Sequence, residues 1–126
     1  MVTGNRRQNA LVADLNVRTH KLISGLGEAN GGNDEGPNPH ELVEAALTAC
    51  TILTVQMYAN RKGMKLESTE VAVKITSEGP DSVFSLEVSF HGDLTPEERE
   101  RLGQIAQRCP IHKLLESNIK IETTAK

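Results

Sequence analysis

The sequence predicts an α+β fold, with helices packed on antiparallel sheet. Three observations carry that prediction. Residues 39–62 read as one long helix, bounded by a capping signal and a glycine. Two runs of alternating apolar residues follow it, at about 66–77 and 83–91. Helix-start signals then recur at Thr95-Pro96 and at Cys109-Pro110. The element order expected along the chain is β-β-α-β-β-α-α-β.

Residues 9–24 contain two short apolar runs, Ala10-Leu11-Val12-Ala13 and Lys21-Leu22-Ile23, around a polar middle, which reads as an N-terminal hairpin. Residues 25–37 are rich in Gly, Asn and Asp, have no periodicity and read as a loop. Asn38 then caps the first helix, Pro39 suits its first position, and Glu41 stands where a capping box needs a carboxylate. Gly63 supplies the left-handed stop. At about 1.5 Å per residue the helix spans roughly 36 Å, close to the width of a domain whose radius of gyration is about 14 Å. Apolar or small side chains surround it between Ala45 and Val55, so burial on most sides is expected. A second subunit would help to supply that burial.

Val71, Val73 and Ile75 alternate with polar residues, as do Phe84, Leu86, Val88 and Phe90. Joined through Glu78-Gly79-Pro80-Asp81-Ser82, they predict an antiparallel hairpin over about 66–91. Thr95-Pro96-Glu97-Glu98 starts a helix with Leu102, Ile105 and Ala106 on one face. Cys109-Pro110 starts a short third helix, so helices occupy about 96–116. Ile119-Lys120-Ile121-Glu122-Thr123 reads as a last strand over about 118–124.

A length of 126 residues suits a single domain, here 1–126. The net charge of −3, with one Tyr, two Phe and no Trp, argues against a nucleic-acid surface. The N-terminus has no apolar run after Arg6-Arg7, so it does not read as a secretory signal. Glu44, Thr48, Thr51, Thr54 and Gln56 interrupt the longest apolar stretch, which marks a core helix and not a membrane span. The expected location is cytoplasmic, where cysteines stay reduced unless they cycle.

The chain has two cysteines, each placed where a thiol could react. Cys50 lies within the long apolar helix. Cys109 directly precedes a helical Pro, where a helix N-terminus can stabilise a thiolate. Two unrelated, inert cysteines are the alternative, one a core residue and one a small cap. Thiol redox chemistry needs a cation near the reactive sulfur and a second thiol to trap the sulfenic acid. Arg61 and Lys62 lie three turns beyond Cys50, and Arg108 is only a sequence neighbour of Cys109; Arg18, at the hairpin turn, is the chosen candidate. His20, His40, His91 and His112 show no paired spacing and there is no CxxC, so neither a zinc site nor another cofactor is expected. The acidic run at 31–36 suits no phosphate.

The run Gly31-Gly32-Asn33-Asp34-Glu35-Gly36-Pro37-Asn38-Pro39-His40-Glu41-Leu42-Val43-Glu44-Ala45-Ala46-Leu47-Thr48-Ala49-Cys50-Thr51 resembles the signature of the OsmC/Ohr superfamily, the osmotically inducible and organic-hydroperoxide-resistance proteins. Met57-Tyr58-Ala59-Asn60-Arg61-Lys62-Gly63 extends the resemblance, and Arg108-Cys109-Pro110-Ile111-His112-Lys113 resembles the family's second cysteine motif. The resemblance covers nearly the whole chain. It implies an OsmC-like fold, antiparallel sheets wrapped around a long central helix, in an intertwined homodimer. It implies a thiol peroxidase acting on organic hydroperoxides, with Cys50 peroxidatic, Cys109 resolving and Arg18 in the place of the family's arginine. The disulfide formed between Cys50 and Cys109 would be reduced by a dithiol, of lipoyl type in the family.

One departure stands out. The best-characterised branch has a Glu ten residues before the peroxidatic Cys, holding the arginine; this chain has His40 there. Glu41 is nine residues before Cys50, which at about 100° per residue puts it on the opposite side of the helix. The chain thus looks like the broader OsmC-like branch. A redox-sensing or ligand-binding protein on the same scaffold, without efficient turnover, is the alternative reading.

Overall fold

The computed structural model describes all residues, 1–126. The chain forms two compact units, Met1–Glu44 and Ala45–Lys126, and the long helix runs through the boundary between them.

The first unit is a three-stranded antiparallel sheet in the order β1-β2-β3, with β1 Val2–Arg6, β2 Val12–Val17 and β3 His20–Gly25. The expected hairpin is β2–β3, closed by a two-residue turn that pairs Val17 with His20. Arg18 sits in that turn with φ 57°, an unusual backbone for a side-chain-bearing residue. Strand β1 was not anticipated. All five of its residues are exposed, so it carries no apolar alternation to read; it is held by its ladder to β2, Val2 opposite Val17 through Arg6 opposite Ala13. The Gly-rich segment after β3 makes one 3₁₀ turn, Glu28–Asn30. Its far end is tied back to β3: the N–H of Gly25 and the hydroxyl of Ser24 both donate to the carbonyl of Pro37, at 3.1 and 2.8 Å.

Helix α1, Pro39–Lys62, has the predicted bounds. The Asn38 side chain accepts from the Glu41 N–H and the Glu41 carboxylate accepts from the Asn38 N–H, both at 2.9 Å. Glu41 is therefore committed to a capping box. At the other end Gly63 adopts φ 69°. The N–H of Met64 then reaches the carbonyl of Ala59 at 2.9 Å and that of Gly63 reaches Asn60 at 3.4 Å, a Schellman termination.

In the second unit, β4 (Lys65–Ser77) and β5 (Val83–Asp93) form a long antiparallel hairpin. Val71 faces Val88, Val73 faces Leu86 and Ile75 faces Phe84, so the alternating apolar residues share one face. A bulge between Leu66 and Ser68 shifts the register near the start of β4. Opposite it, a side chain at Gly92 would overlap the Lys65 carbonyl, which fixes glycine there.

Helix α2, Pro96–Ala106, opens with the predicted capping box between Thr95 and Glu98. Its buried face, Leu102, Ile105 and Ala106, joins Val55 and Ala59 of α1 and Leu66 of β4 in one core, flanked by Tyr58, Met64, Val88, Phe90 and Leu94. By length and composition α1 could cross a membrane, yet here its Val55 and Ala59 belong to this core.

Within the single chain the buried residues of α1 are Leu47, Thr51, Val55 and Ala59, a row four residues apart. The chain supplies one covering layer and leaves Leu53 and Met57 exposed, at 67% and 57%, in keeping with a helix that one subunit does not wrap alone. One expectation is corrected, at the C-terminus. After α3, Pro110–Leu115, residues 118–124 form no strand. A strand needs a ladder partner; no neighbouring strand in the chain pairs with this segment, and Ile119 and Ile121 remain 57% and 82% exposed.

Candidate functional site

The two cysteines meet where α1 passes the N-terminus of α3. Cys50 is one position before Thr51, a member of the buried row of α1, and is itself half-buried. Cys109 is the N-cap of α3, with Pro110 in the first turn, and its side chain is fully buried. The α2–α3 connection is only Gln107 to Cys109, so α2's anchoring in the core also fixes the height of Cys109 against α1. Thr51 donates its hydroxyl to the Leu47 carbonyl at 2.8 Å and stands 4.0 Å from the Cys109 sulfur. Thr54, one turn past Cys50, places its hydroxyl 3.7 Å from the Cys50 sulfur.

The first amides of α3 are divided between the two sulfurs. The N–H of His112 donates to Cys109 Sγ at 3.3 Å. The main-chain N–H of Ile111 and the thiol of Cys109 lie close enough to Cys50 to stabilise its thiolate. Burial alone would raise the Cys50 thiol, but the amide of Ile111, the thiol of Cys109 and the hydroxyl of Thr54 outweigh it, and the net shift is below an ordinary thiol. Cys109 moves the opposite way. Burial pushes it up, the hydrogen bond it gives to Cys50 pushes it further, and the His112 amide and Thr51 hydroxyl do not reverse this.

This refines the expectation for Cys109. A helix N-terminus does favour a thiolate here, but the net effect lands on Cys50, across the gap. The two shifts run in opposite directions, Cys50 below an ordinary thiol and Cys109 above it, so Cys50 is the member that ionises first. Iodoacetamide should therefore label Cys50 first. Because a depressed pKa keeps the thiolate to lower pH, its labelling rate should fall only once pH drops below the range of an ordinary thiol. Cys109→Ala should move that fall to higher pH. Peptide mass spectrometry reads both, and earlier labelling of Cys109 would reverse the assignment.

Arg18 lies exposed in the β2–β3 turn, within the Met1–Glu44 unit, and both cysteines belong to the Ala45–Lys126 unit. Of the apolar residues of α1 around Cys50, Leu47 is buried, whereas Val43 and Leu53 are exposed at 38% and 67%. Leu47 instead lines a cavity of about 280 Å³ with Val83, Phe84, Leu86, Leu115 and His112. Sequence reading missed the contribution of Ile111, Thr54 and His112. A signal for His112 exists: it occupies the third helical position after the Cys109 cap, where a capping-box residue sits.

A family model described as OsmC-like protein matches residues 31–124, a span that includes both cysteines. The chain belongs to the OsmC-like family. Among proteins with curated functions, none matches the sequence. Solved structures share the fold. An OsmC-like protein from Mycoplasma pneumoniae superposes with a TM-score of 0.70 at 16% identity, covering 94% of this chain and 87% of that one. The organic hydroperoxide resistance protein OsmC of Legionella pneumophila gives 0.60 at 22% identity, with 94% and 90% covered. An organic hydroperoxide resistance protein from Elizabethkingia anophelis gives 0.64 at 24%, with 94% and 89% covered. At these identities the likeness establishes an OsmC-like α+β fold with antiparallel sheets and a central helix.

Proposed function

We propose that this OsmC-like protein is a cysteine-based peroxidase that reduces organic hydroperoxides to alcohols. The observation that carries the reading is the polarised contact between Cys50 and Cys109, which come from positions 59 residues apart in the sequence. The Cys50 thiolate attacks the distal peroxide oxygen; the O–O bond breaks and the alkoxide leaves as an alcohol after taking a proton. Cys50 is then a sulfenic acid. Cys109 attacks its sulfur, water leaves, and a Cys50–Cys109 disulfide forms. An external dithiol, of lipoyl type, restores both thiols by exchange.

The contact between the thiols suits this sequence, because the resolving sulfur is already beside the sulfur it must attack. The cavity lined by Leu47, Val83, Phe84, Leu86 and Leu115 together with Ser82, His112 and Glu116 would favour alkyl-bearing peroxides over hydrogen peroxide. Arg18 is the arginine assigned to the peroxide-binding site. With Glu41 held by the capping box and His40 at the position of the family's carboxylate, that arginine would be less firmly held, and turnover slower, than in the best-characterised branch. The working location is the cytoplasm. The working assembly is a homodimer, which would cover Leu53 and Met57 of α1 and offer the 118–124 segment a strand partner. Sedimentation that shows a monomer at micromolar concentration would remove this part of the reading.

The direct test is steady-state consumption of cumene hydroperoxide with excess dihydrolipoamide, run beside hydrogen peroxide. Many turnovers, faster with the organic peroxide, are expected. Oxidation of one equivalent without turnover would point to a redox sensor, and two unreactive thiols would end the proposal.

A further inference from the structure

His112 is a half-buried titratable residue that the reaction above leaves idle. Its main-chain N–H touches the Cys109 sulfur at 3.3 Å. Its Nε2 lies 3.1 Å from Oε1 of Glu116, one turn along α3. An ionised carboxylate accepts only from an N–H, so this pairing puts the single proton of a neutral imidazole on Nε2 and leaves the lone pair on Nδ1. Nδ1 is buried and has no hydrogen-bond partner. A buried acceptor without a donor is costly and calls for an explanation. Of the surrounding cavity wall, Leu47, Val83, Phe84, Leu86 and Leu115 carry no side-chain donor, and the Ser82 hydroxyl donates to the Gly79 carbonyl at 3.1 Å. Glu116 is an acceptor already paired with Nε2. Cys109, the cap of the same short helix, carries a thiol held in its protonated form.

We infer that His112, oriented by Glu116, is the proton carrier of the resolving step; the inference rests on the peroxidase reading and adds a residue to it. In the reduced protein the Cys109 proton is given to Cys50. Once Cys50 is a sulfenic acid, that thiolate acceptor no longer exists, and Cys109 must lose its proton to become a nucleophile. Nδ1 takes it. The Cys109 sulfur attacks the Cys50 sulfur, the S–O bond breaks, and the imidazolium returns the proton to the departing hydroxide, which leaves as water. The S–O bonding pair leaves with the oxygen, which was already reduced when the O–O bond broke; in this step Cys109 sulfur is oxidised as Cys50 sulfur is reduced, and the imidazole ends as it began. Neutral imidazole with one nitrogen fixed by a carboxylate suits both halves of that transfer.

The test separates the two chemical phases by rapid mixing of reduced protein with one equivalent of cumene hydroperoxide. His112→Ala retains the main-chain amide at Cys109. It is expected to slow disulfide formation about 100-fold, the low end of what general acid–base catalysis contributes. Dimedone should then trap a long-lived Cys50 sulfenic acid, and added imidazole should restore part of the rate, which a packing role would not explain. Glu116→Gln is expected to slow the same phase by a smaller factor. Should His112→Ala not fold, His112→Gln keeps a polar side chain that cannot carry a proton and is expected to show the same slow phase. Diamide provides an independent arm: Cys50 adds to its nitrogen, and Cys109 then attacks Cys50 and breaks the S–N bond. The same dependence on His112 is expected there even if hydroperoxides prove not to be substrates. Wild-type rates of resolution in the His112 variants, or a loss that imidazole does not relieve, would overturn the inference.

Discussion

Cys50→Ser should abolish catalytic consumption of cumene hydroperoxide. A hydroxyl at this position cannot be converted to an anion by the amide and thiol that hold the Cys50 sulfur, and loss of a nucleophile can cost up to about 10⁶ in turnover. A fall of more than about 1000-fold is expected, measured as peroxide remaining under excess dithiol. Cys109→Ser should behave differently. Cys50 should still react once, but the sulfenic acid should persist, accept dimedone, and progress to sulfinic acid when peroxide is in excess. Mass spectrometry distinguishes these products. If Cys50→Ser retained turnover while Cys109→Ser lost it, the roles of the two cysteines would be exchanged. If both variants turned over normally, the cysteines would have no part in the chemistry.

Leu102→Ala should be among the most destabilising single truncations in the chain. Leu102 is fully buried and joins α2 to α1 and β4 in one core. Leu→Ala changes at such sites cost about 2–5 kcal/mol through lost transfer energy and an unfilled cavity. A loss near 3 kcal/mol, with a urea slope of about 2 kcal/mol per molar, lowers the midpoint by about 1.5 M. The comparison needs one protein concentration, because self-association would add to apparent stability. Since three residues join α2 to α3, the variant should also loosen the approach of Cys109 to Cys50, seen as slower disulfide formation. A loss under about 1 kcal/mol would mean that α2 does not anchor this region.

The readable parts of the fold were those with a local chemical cause. Asn38, Pro39, Glu41 and Gly63 delimit α1 because capping and left-handed termination depend on residue types at fixed offsets. Thr95 and Glu98 do the same for α2, and the alternation of Phe84, Leu86, Val88 and Phe90 gave the face of β5. Strand β1 escaped because its five exposed residues are held by main-chain pairing, which leaves no side-chain trace. The opposite error arose at Ile119 and Ile121, where alternation suggested a strand but the chain provides nothing for it to pair with. At the site, the identity of the two cysteines was legible. Their polarity was not, because it depends on which sulfur the amides of Ile111 and His112 reach across the fold.

The sharing of one short helix start between two sulfurs has a mechanical consequence. In the reduced state the opening turn of α3 is fastened to α1 by soft contacts to Cys50 and Cys109. Joining the sulfurs would swap that loose clasp for a covalent rivet at the same spot, so the six-residue helix would register oxidation directly in how freely its first turn can come away.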